Sequence, residues 1–479
     1  MREDPATLPP TICGASDRPV AALPRHREHG AGRGPSDASL TIRAVAFPGF
    51  DGARVAHALG LLCTEPEDLA DAYFERIEVT EAPGRPDAPG LLVRREEGFA
   101  LRLVRGGRVW LASRDGITDE LVARAFRQVA RSLPPAAPAV RAEPAAWPAL
   151  ELADALLGLH GRVEHELRQL RAAFPFRLRA CRHRRETLVV SPRLVPDPQV
   201  ETFFSFEAEV PWGRWGGLIA DLDEAPLRIA AALAELFRAR DAAPPAAATA
   251  VVVLGSAAAA VFLHEAVAHT LEADTLALTG KPASAIGVRL GTEILDVLDD
   301  PARAPLGVRR SSDDEGIPVT RRWLLRAGVV EQPIADRAWA DRAGLQPGSG
   351  RRSQRHRPPA PRSLHLELLP GSSSFDQLLE SARGGLFVQE VERGHLDPFT
   401  GHFVLDATSA RRIEPLGLSE RVGPVRLSGS VVDLLSAVDD IGAHSHCCGA
   451  GWCAKGGDRL PVWATAPPLR LDRIRVAAP

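Results

Sequence analysis

The chain has 479 residues, of which 45% are hydrophobic and 25% are charged, so it is long enough for about two or three domains with a sizeable core. Its net charge of −3 gives no general attraction to nucleic acid, so a nucleic-acid partner is not expected. The six cysteines are unevenly spread, which argues against a disulfide framework and predicts reduced thiols in a cytoplasmic protein.

The amino-terminal part begins with a segment rich in proline, glycine and arginine. Residues 1–41 contain no apolar stretch after their early charges, so we expect a disordered tail and no secretory signal. Residues 42–243 are predicted as an α/β domain. Within it, two apolar runs flank a turn at 105–107, a pattern typical of a β-hairpin. An amphipathic helix is predicted over 119–133, and the alanine- and proline-rich residues 134–148 are predicted as a linker.

Two further helices and a charge-free stretch follow in chain order. Apolar stripes predict helices over 152–173 and 227–238. Residues 246–263 carry no charge and reach the lower length limit for a membrane span. Their first half is β-branched and their second half alanine-rich, which instead predicts a buried strand, a turn with Ser256 as N-cap, and a helix. No membrane segment is therefore expected.

The carboxy-terminal part, residues 244–479, alternates apolar and polar residues over many short runs broken by glycine and proline. This pattern predicts a largely antiparallel, barrel-like β domain against which the alanine-rich helix would pack. The expected fold class is therefore α+β, with an α/β amino-terminal domain followed by this β domain.

The alanine-rich helix continues into the motif His264-Glu265-Ala266-Val267-Ala268-His269, which is the most informative stretch of the chain. Neutral imidazoles are good zinc ligands, and a carboxylate beside them can act as a base toward metal-bound water, the role we assign to Glu265. A five-residue step rotates the two rings about 140° around a regular helix. A π-bulge, or a helix end near His269, would bring both toward one ion. The alternative is a buried helix with two hydrogen-bonded histidines.

A third ligand is expected from Cys453 in the glycine-rich segment 451–457. Two histidines and one thiolate would leave the fourth tetrahedral position open for water, as a catalytic zinc site requires. The alternative for Cys453 is a reduced cysteine in a loop. A second, lower-ranked cluster is formed by His444, His446, Cys447 and Cys448. Its adjacent cysteines cannot readily chelate one ion.

Other polar residues have both a functional and a structural interpretation. Glu272 follows His269 by three positions, so it can orient the imidazole through a hydrogen bond or act as an extra ligand, or it can be an exposed helix carboxylate. Arg351 and Arg352 lie in an arginine-rich segment and could bind a peptide carboxylate, although a solvated loop is the commoner case. The acidic turn at 313–315 could line a substrate cleft or bind a cation, or simply be solvated.

These motifs together resemble the TldD side of the TldD/PmbA (TldD/TldE) metalloprotease family. Residues 263–274 are similar to the metal helix of that family. Further similar segments occur in the expected order at 71–74, 97–102, 313–318, 348–352, 359–362, 428–430 and 451–455. The resemblance covers roughly residues 45 to 479. Ala268, Thr270 and Ala273 stand where the family usually has glycine, and Ser363-Leu364-His365 replaces its usual methionine-threonine-asparagine, which puts substrate preference in doubt more than metal binding.

The resemblance implies Zn²⁺ held by His264, His269 and Cys453, with Glu265 as the catalytic carboxylate. It implies that residues 244–479 form a metalloprotease domain that hydrolyses short or unfolded peptides, in peptide maturation or turnover. It also implies a dimer, with a TldE-like subunit that lacks the metal residues as partner, in which this chain is the active subunit.

Two other functions stay open. The chain could be a non-catalytic, metal-containing subunit for peptide binding or assembly, although retention of Glu265 argues against this. It could also be a different hydrolase, such as an amidase, that uses the same activated water. For a peptidase, an exposed sheet edge is expected to hold the substrate as an added strand, which favours extended peptides over folded proteins.

Overall fold

The computed structural model describes residues 52–82, 90–106, 108–129, 153–280 and 282–479. The predicted tail at 1–41 and the predicted linker at 134–148 lie outside these residues. The division into residues 1–41, 42–243 and 244–479 therefore stays a prediction.

The elements are numbered in chain order. The helices are α1 Gly52–Leu62, α2 Asp119–Val129, α3 Ala153–Leu157, α4 Leu159–Gln169, α5 Ala225–Ala239, α6 Ser256–Leu263, α7 His269–Leu271, α8 Ala273–Thr279, α9 Arg337–Ala343, α10 Phe375–Ser381 and α11 Val431–Ser436. The first strands are β1 Leu69–Ala82, β2 Leu92–Arg105, β3 Arg108–Asp115, β4 Arg177–Val190, β5 Gln199–Val210, β6 Gly213–Ile219, β7 Ala248–Leu254, β8 Val297–Asp299, β9 Arg322–Arg326, β10 Val329–Val330, β11 Gly350–Arg351 and β12 Ala360–Pro361. The remaining strands are β13 Leu366–Leu368, β14 Leu386–Val388, β15 Arg393–Leu396, β16 His402–Ala407, β17 Ala410–Glu414, β18 Gly417–Val422, β19 Val425–Ser430, β20 Val438–Ile441, β21 His446–Lys455, β22 Asp458–Ala466 and β23 Leu469–Ala477.

The amino-terminal half contains a sheet in the order β3-β2-β1-β4-β5-β6. The predicted hairpin at 105–107 is confirmed, because β2 and β3 pair with Arg105 opposite Arg108. All neighbouring strands in this sheet run antiparallel. The α/β expectation for this half is therefore not confirmed, since no parallel strand pair occurs in this sheet within the described part of the chain.

Helices α4 and α5 cover part of this sheet with an apolar core. The stripe predicted over 152–173 faces inward, because Leu156, Leu159, Val163 and Leu167 are buried in a cluster with residues of α5 and of β4 to β6. Each such side chain stabilises the fold by roughly 2 kcal/mol when it leaves water. The predicted helix over 227–238 is confirmed as α5.

Besides the short pair β11-β12, the carboxy-terminal half contains two sheets. Their strand orders are β10-β9-β8-β13-β22-β21 and β15-β16-β19-β23-β7-β14-β17-β18, and β20 pairs with β23 of the second sheet. Most neighbouring pairs are antiparallel, as predicted, whereas β13 with β22 and β14 with β7 are parallel. The longer sheet curls into a half-barrel, and among the described residues its end strands β15 and β18 do not pair with each other. The mixed α+β class is confirmed, but the barrel is open.

The charge-free stretch 246–263 enters the core of this half from residue 252 onward, whereas residues 246–249 are exposed. Strand β7 lies between β23 and β14, and α6 begins directly after it at Ser256. The strand, turn and helix are confirmed, whereas the predicted cap is wrong. The N-cap residue is Gly255, and Ser256 is the first residue of α6. None of the helices described is both long enough and apolar enough to cross a bilayer.

A network of buried ion pairs joins β1 and β2 to the loops of the carboxy-terminal half. Asp71 on β1 accepts hydrogen bonds from Arg102 Nε at 2.8 Å and from Arg352 Nη2 at 3.1 Å, and all three side chains are almost fully buried. Arg102 also lies 2.7 Å from Glu315. Buried charges are costly unless paired, so each member of the network depends on its partners.

We predict that Asp71→Asn will lower the free energy of unfolding by about 3–5 kcal/mol, because it removes the carboxylate partner of the buried Arg352 and one of the two carboxylate partners of the buried Arg102. Urea unfolding at pH 7 measures this change. The control is Glu120→Gln, which removes an exposed partner of Arg124 and should change stability by about 0.5 kcal/mol or less. Equal effects of the two substitutions would contradict the prediction.

Candidate metal centre

The helix that follows β7 changes its winding where the histidine motif begins. After α6, residues His264–Ala268 form a π-helical turn, and the backbone N–H of His269 donates to the carbonyl of His264, five residues earlier. Of the two distortions expected from the five-residue spacing, a π-bulge or a helix end near His269, the π-bulge is therefore present. It brings the two imidazoles to within 4.5 Å, centroid to centroid, at an interplanar angle of 68°.

His264 is buried, with 3% of its surface exposed, among alanine and leucine side chains of the largest core cluster. Neither of its ring nitrogens has a hydrogen-bond partner. Burial lowers the pKa of His264 well below its usual value, and the neighbouring His269 lowers it further. The ring is therefore held neutral, which is the state that can bind a metal ion.

Cys453 approaches the two rings from β21. The prediction that it lies on a loop is wrong, because it pairs with Leu460 in the β21–β22 hairpin. Gly456 and Gly457, both with positive φ, form the two-residue turn of that hairpin. The Cys453 Sγ lies 3.4 Å from His269 Nε2. One ligand atom from each of His264, His269 and Cys453 lies within 4.8 Å of the others.

The next residue back, Trp452, faces the other side of β21, because successive side chains of a strand alternate. Its ring lies edge-on to His183 at 5.5 Å and to Phe203 at 5.7 Å, both in the amino-terminal sheet. The strand that carries Cys453 is therefore backed by aromatic side chains of the other half of the chain.

Glu272 is fully buried beside His269, and its Oε2 lies 2.9 Å from His269 Nδ1. Burial opposes the charge on His269, but the Glu272 carboxylate and the bond to Cys453 raise the pKa of His269 well above its usual value. Since the Nδ1 side faces Glu272, Nε2 is the nitrogen that points to Cys453. The geometry matches the orienting contact predicted for Glu272, and the exposed-carboxylate alternative is excluded by its burial.

Glu265 is partly buried and lies under the edge strand β15. A Cβ on Gly394 would lie 2.4 Å from Glu265 Cγ, so only glycine allows the strand to come this close. Burial raises the pKa of Glu265 above its usual value, while His269, His395 and the backbone amide of Leu396 act in the opposite direction. Gly394 was not singled out in the sequence, because nothing in its local pattern indicates contact with a residue about 130 positions earlier.

Arg351 and Arg352 do not join this cluster. Arg351 is buried and lies near Glu201 and Asp314, and Arg352 is fully buried against Asp71. Their guanidinium groups are committed to buried carboxylates, which argues against the substrate-binding role predicted for them. The solvated-loop alternative is also wrong.

The acidic turn at 313–315 is buried as well, contrary to the solvated alternative. Asp314 pairs with Arg310 at 2.6 Å. Asp313 accepts from the backbone amides of Glu315, Ile317 and Gly350, and burial together with the nearby Glu315 raises its pKa to about 7. In the second, lower-ranked cluster, the side chains of Cys447 and Cys448 lie outside the described part of the chain.

Comparison with known proteins places this half of the chain in a family. Residues 247–478 match the model of the PmbA/TldA metallopeptidase C-terminal domain. A metalloprotease of Methanothermobacter thermautotrophicus is 33% identical over 221 residues, covering 45% of this chain and 47% of the relative. A TldD homologue of Haemophilus influenzae, named a metalloprotease, is 32% identical over 233 residues, 47% of each chain. A zinc metalloprotease TldD homologue of Saccharolobus solfataricus is 25% identical over 218 residues, covering 45% and 48%. The chain thus spans about half the length of the curated relatives it matches.

Solved structures extend the likeness in fold to most of the chain. TldE from Thermococcus kodakarensis superposes with a TM-score of 0.65 at 18% identity, covering 86% of this chain and 97% of its own. A Thermotoga maritima protein described as a candidate modulator of DNA gyrase superposes with a TM-score of 0.67 at 15% identity, covering 89% and 99%. These structures support the fold alone. The match over residues 247–478 and the names of the relatives place the carboxy-terminal half of the chain in the TldD/PmbA family.

Proposed function

We propose that the chain is a zinc-dependent metallopeptidase that hydrolyses peptide bonds in short or unfolded peptides, in peptide maturation or turnover. The single observation that carries this proposal is the convergence of His264, His269 and Cys453 within 4.8 Å, with Glu265 directly after His264 in the π-helical turn. The family membership and the names of the relatives agree with a metallopeptidase.

The donor set fits zinc. His264 is a buried, neutral imidazole whose two nitrogens lack partners, and a buried polar group without a partner costs about 1–3 kcal/mol unless something binds it. Two imidazoles and one sulfur are donors that zinc accepts, and three protein ligands are typical of catalytic zinc sites. When bound, zinc would supply the Lewis acidity that makes water a nucleophile near neutral pH.

Glu265 is proposed as the general base and acid. It follows the ligand His264 directly and lies beside β15, so a water between it and the ligands can give its proton to the carboxylate. The same carboxyl group would then deliver the proton to the leaving amine. Partial burial under β15 limits competing water around Glu265.

The substrate is proposed to add as a strand to β15. Among the described residues, β15 pairs on one side only, with β16. The free backbone groups of an edge strand bind extended peptides through main-chain hydrogen bonds, which gives little dependence on side-chain identity. A folded protein cannot present such a strand, so extended peptides are the expected substrates.

Assembly and location are part of the same proposal. The resemblance to the TldD/TldE family is the basis for proposing a dimer with a TldE-like subunit, in which this chain contributes the metal residues, and the chain shares its fold with a TldE protein. A cytoplasmic location is supported by the free thiols of Cys63, Cys181 and Cys453. The alternative function remains a metal-containing, non-catalytic subunit for peptide binding or assembly.

The first of three predictions from this proposal concerns the stability of the metal-free protein. His264→Leu should leave the zinc-free protein as stable as wild type or about 1 kcal/mol more stable, because it replaces an unpartnered buried imidazole. Zinc should stabilise wild type but not this variant. Urea unfolding in chelator and in excess zinc measures both effects.

The matched control is His365→Leu. His365 is also buried, but its Nε2 lies 2.9 Å from the hydroxyl of Thr465, so its loss should destabilise the protein while zinc still stabilises it. If zinc stabilised His264→Leu as much as wild type, the ligand assignment would be refuted.

The second prediction concerns the base. Glu265→Gln should retain one zinc per chain and lose about 10²–10⁴-fold in peptide cleavage, since the amide cannot accept the water proton. Metal analysis and mass spectrometry of a digested peptide library measure both, with the chain alone and with a TldE-like partner.

The same measurement separates the alternatives. Stoichiometric zinc with no cleavage by wild type, alone or with the partner, would favour the non-catalytic subunit. Products that differ from the substrate only by loss of a side-chain or terminal amide would identify an amidase.

The third prediction concerns the contact between β15 and Glu265. Gly394→Ala should lower cleavage about 100-fold with zinc retained, because its Cβ would displace either the carboxylate or the edge strand. The control is Gly161→Ala in α4, where a Cβ meets nothing within 4 Å and activity should not change. Unchanged cleavage by Gly394→Ala would rule out catalysis by Glu265 from this position.

A further inference from the structure

Lys455 extends from the same strand as Cys453 toward the helix that carries His269. The two residues are two positions apart on β21, so their side chains leave the same face. The Lys455 ammonium donates to Glu272 Oε2 at 2.5 Å, Asp274 Oδ1 at 2.9 Å and Thr275 Oγ1 at 2.6 Å. An ammonium group has three N–H donors, and here each has an acceptor.

These acceptors lie at a break in the helix and in the first turn after it. Helix α7 ends at Leu271, Glu272 has the extended backbone angles φ −67° and ψ 127°, and α8 begins at Ala273. Although Glu272 is the N-cap residue of α8, its side chain makes no cap hydrogen bond. The carboxylate therefore depends on contacts from outside the helix for its orientation.

All of the contacts of this buried carboxylate converge on one oxygen. Glu272 Oε2 faces His269 Nδ1, Lys455 Nζ and, at 3.7 Å, Arg362 Nη1, whereas Oε1 has no hydrogen-bond partner. Without Lys455, Oε2 would keep one close partner, the imidazole. The buried charge would then be poorly compensated, and the carboxylate would be free to turn away from His269.

We propose that Lys455 is a positioning residue of the metal centre, which fixes Glu272 against His269 and ties the strand of Cys453 to the segment that carries His269. It acts through Glu272 and does not contact the ion. This inference rests on the proposed zinc site and names a residue that sets the affinity of that site.

The requirement is for an ammonium group and not for positive charge alone. Of the 58 cationic residues of the chain, two are lysines, Lys281 and Lys455, so arginine is used almost everywhere else. A guanidinium group is planar and spreads its donors over three nitrogens, so it cannot direct three hydrogen bonds from one atom to converging acceptors. Lys455→Arg is therefore expected to fail as a replacement.

The experiment measures binding of zinc and of cobalt(II) by competition with a chelator, together with the absorption spectrum of the cobalt form. Lys455→Met and Lys455→Arg should each bind zinc about 10–100-fold more weakly than wild type and should alter the cobalt bands, as expected when the orientation of a ligand is lost. Arg168→Met, which removes a side chain that is 61% exposed, is the control and should match wild type.

Action through Glu272 is tested by a double-mutant cycle. Glu272→Gln should weaken zinc binding to a similar extent, and the double variant Lys455→Met/Glu272→Gln should bind no more weakly than the weaker single variant. The proposal would be overturned if the losses of zinc affinity in the two single variants multiplied in the double variant. It would also be overturned if a folded Lys455→Met protein had the zinc affinity and cobalt spectrum of wild type.

A milder variant covers the case in which Lys455→Met does not fold. Thr275→Val removes one acceptor of the ammonium at nearly constant volume and should weaken zinc binding about fivefold. Unchanged affinity in this folded variant would also overturn the proposal. If wild type itself bound no zinc, the proposed function would fail. If wild type bound zinc but substitution of Lys455 did not change the affinity, only the proposal for Lys455 would fail.

Discussion

The proposed metal centre depends on one backbone hydrogen bond, from the N–H of His269 to the carbonyl of His264. This bond closes a turn of five residues where a regular helix would close one of four, and it turns both imidazoles to the same side. The wider turn is a less favourable winding, so it must be stabilised by its surroundings. Those surroundings are the buried alanine, valine and leucine side chains of the largest core cluster and the strands on either side.

Two kinds of buried polar groups occur in this protein, and they are satisfied in different ways. The arginine and carboxylate side chains between β1, β2 and the loops after residue 310 neutralise one another in ion pairs. The imidazole of His264 has no such partner. A chain that pairs so many buried charges and leaves this ring unpaired has a defined place for an external ligand, which is the physical basis of the proposed zinc site.

Local features of the fold could be predicted from the sequence. The hairpin at 105–107, helix α5 and the strand-turn-helix over 248–263 follow from apolar periodicity and turn residues, which act over short distances. The π-turn was one of two distortions, with a helix end near His269, that would bring two histidines five residues apart toward one ion. The burial of Arg351 and Arg352 could not be predicted, because their partners on β1 and β5 are more than 100 residues away in the chain. Lys455 and Gly394 were missed for the same reason: each acts on a residue that only the tertiary structure brings near.

The position of Trp452 has a consequence for how the two halves of the chain cooperate. Its ring lies edge-on to aromatic side chains of β4 and β5, while the adjacent Cys453 faces the histidines. A residue pair on one strand thus couples the amino-terminal sheet mechanically to a single sulfur atom. A displacement of that sheet, by a bound molecule or by a second subunit, would move β21 and with it the sulfur of Cys453. The amino-terminal half, which contributes none of the proposed zinc-binding residues, would thereby affect whether those residues come together.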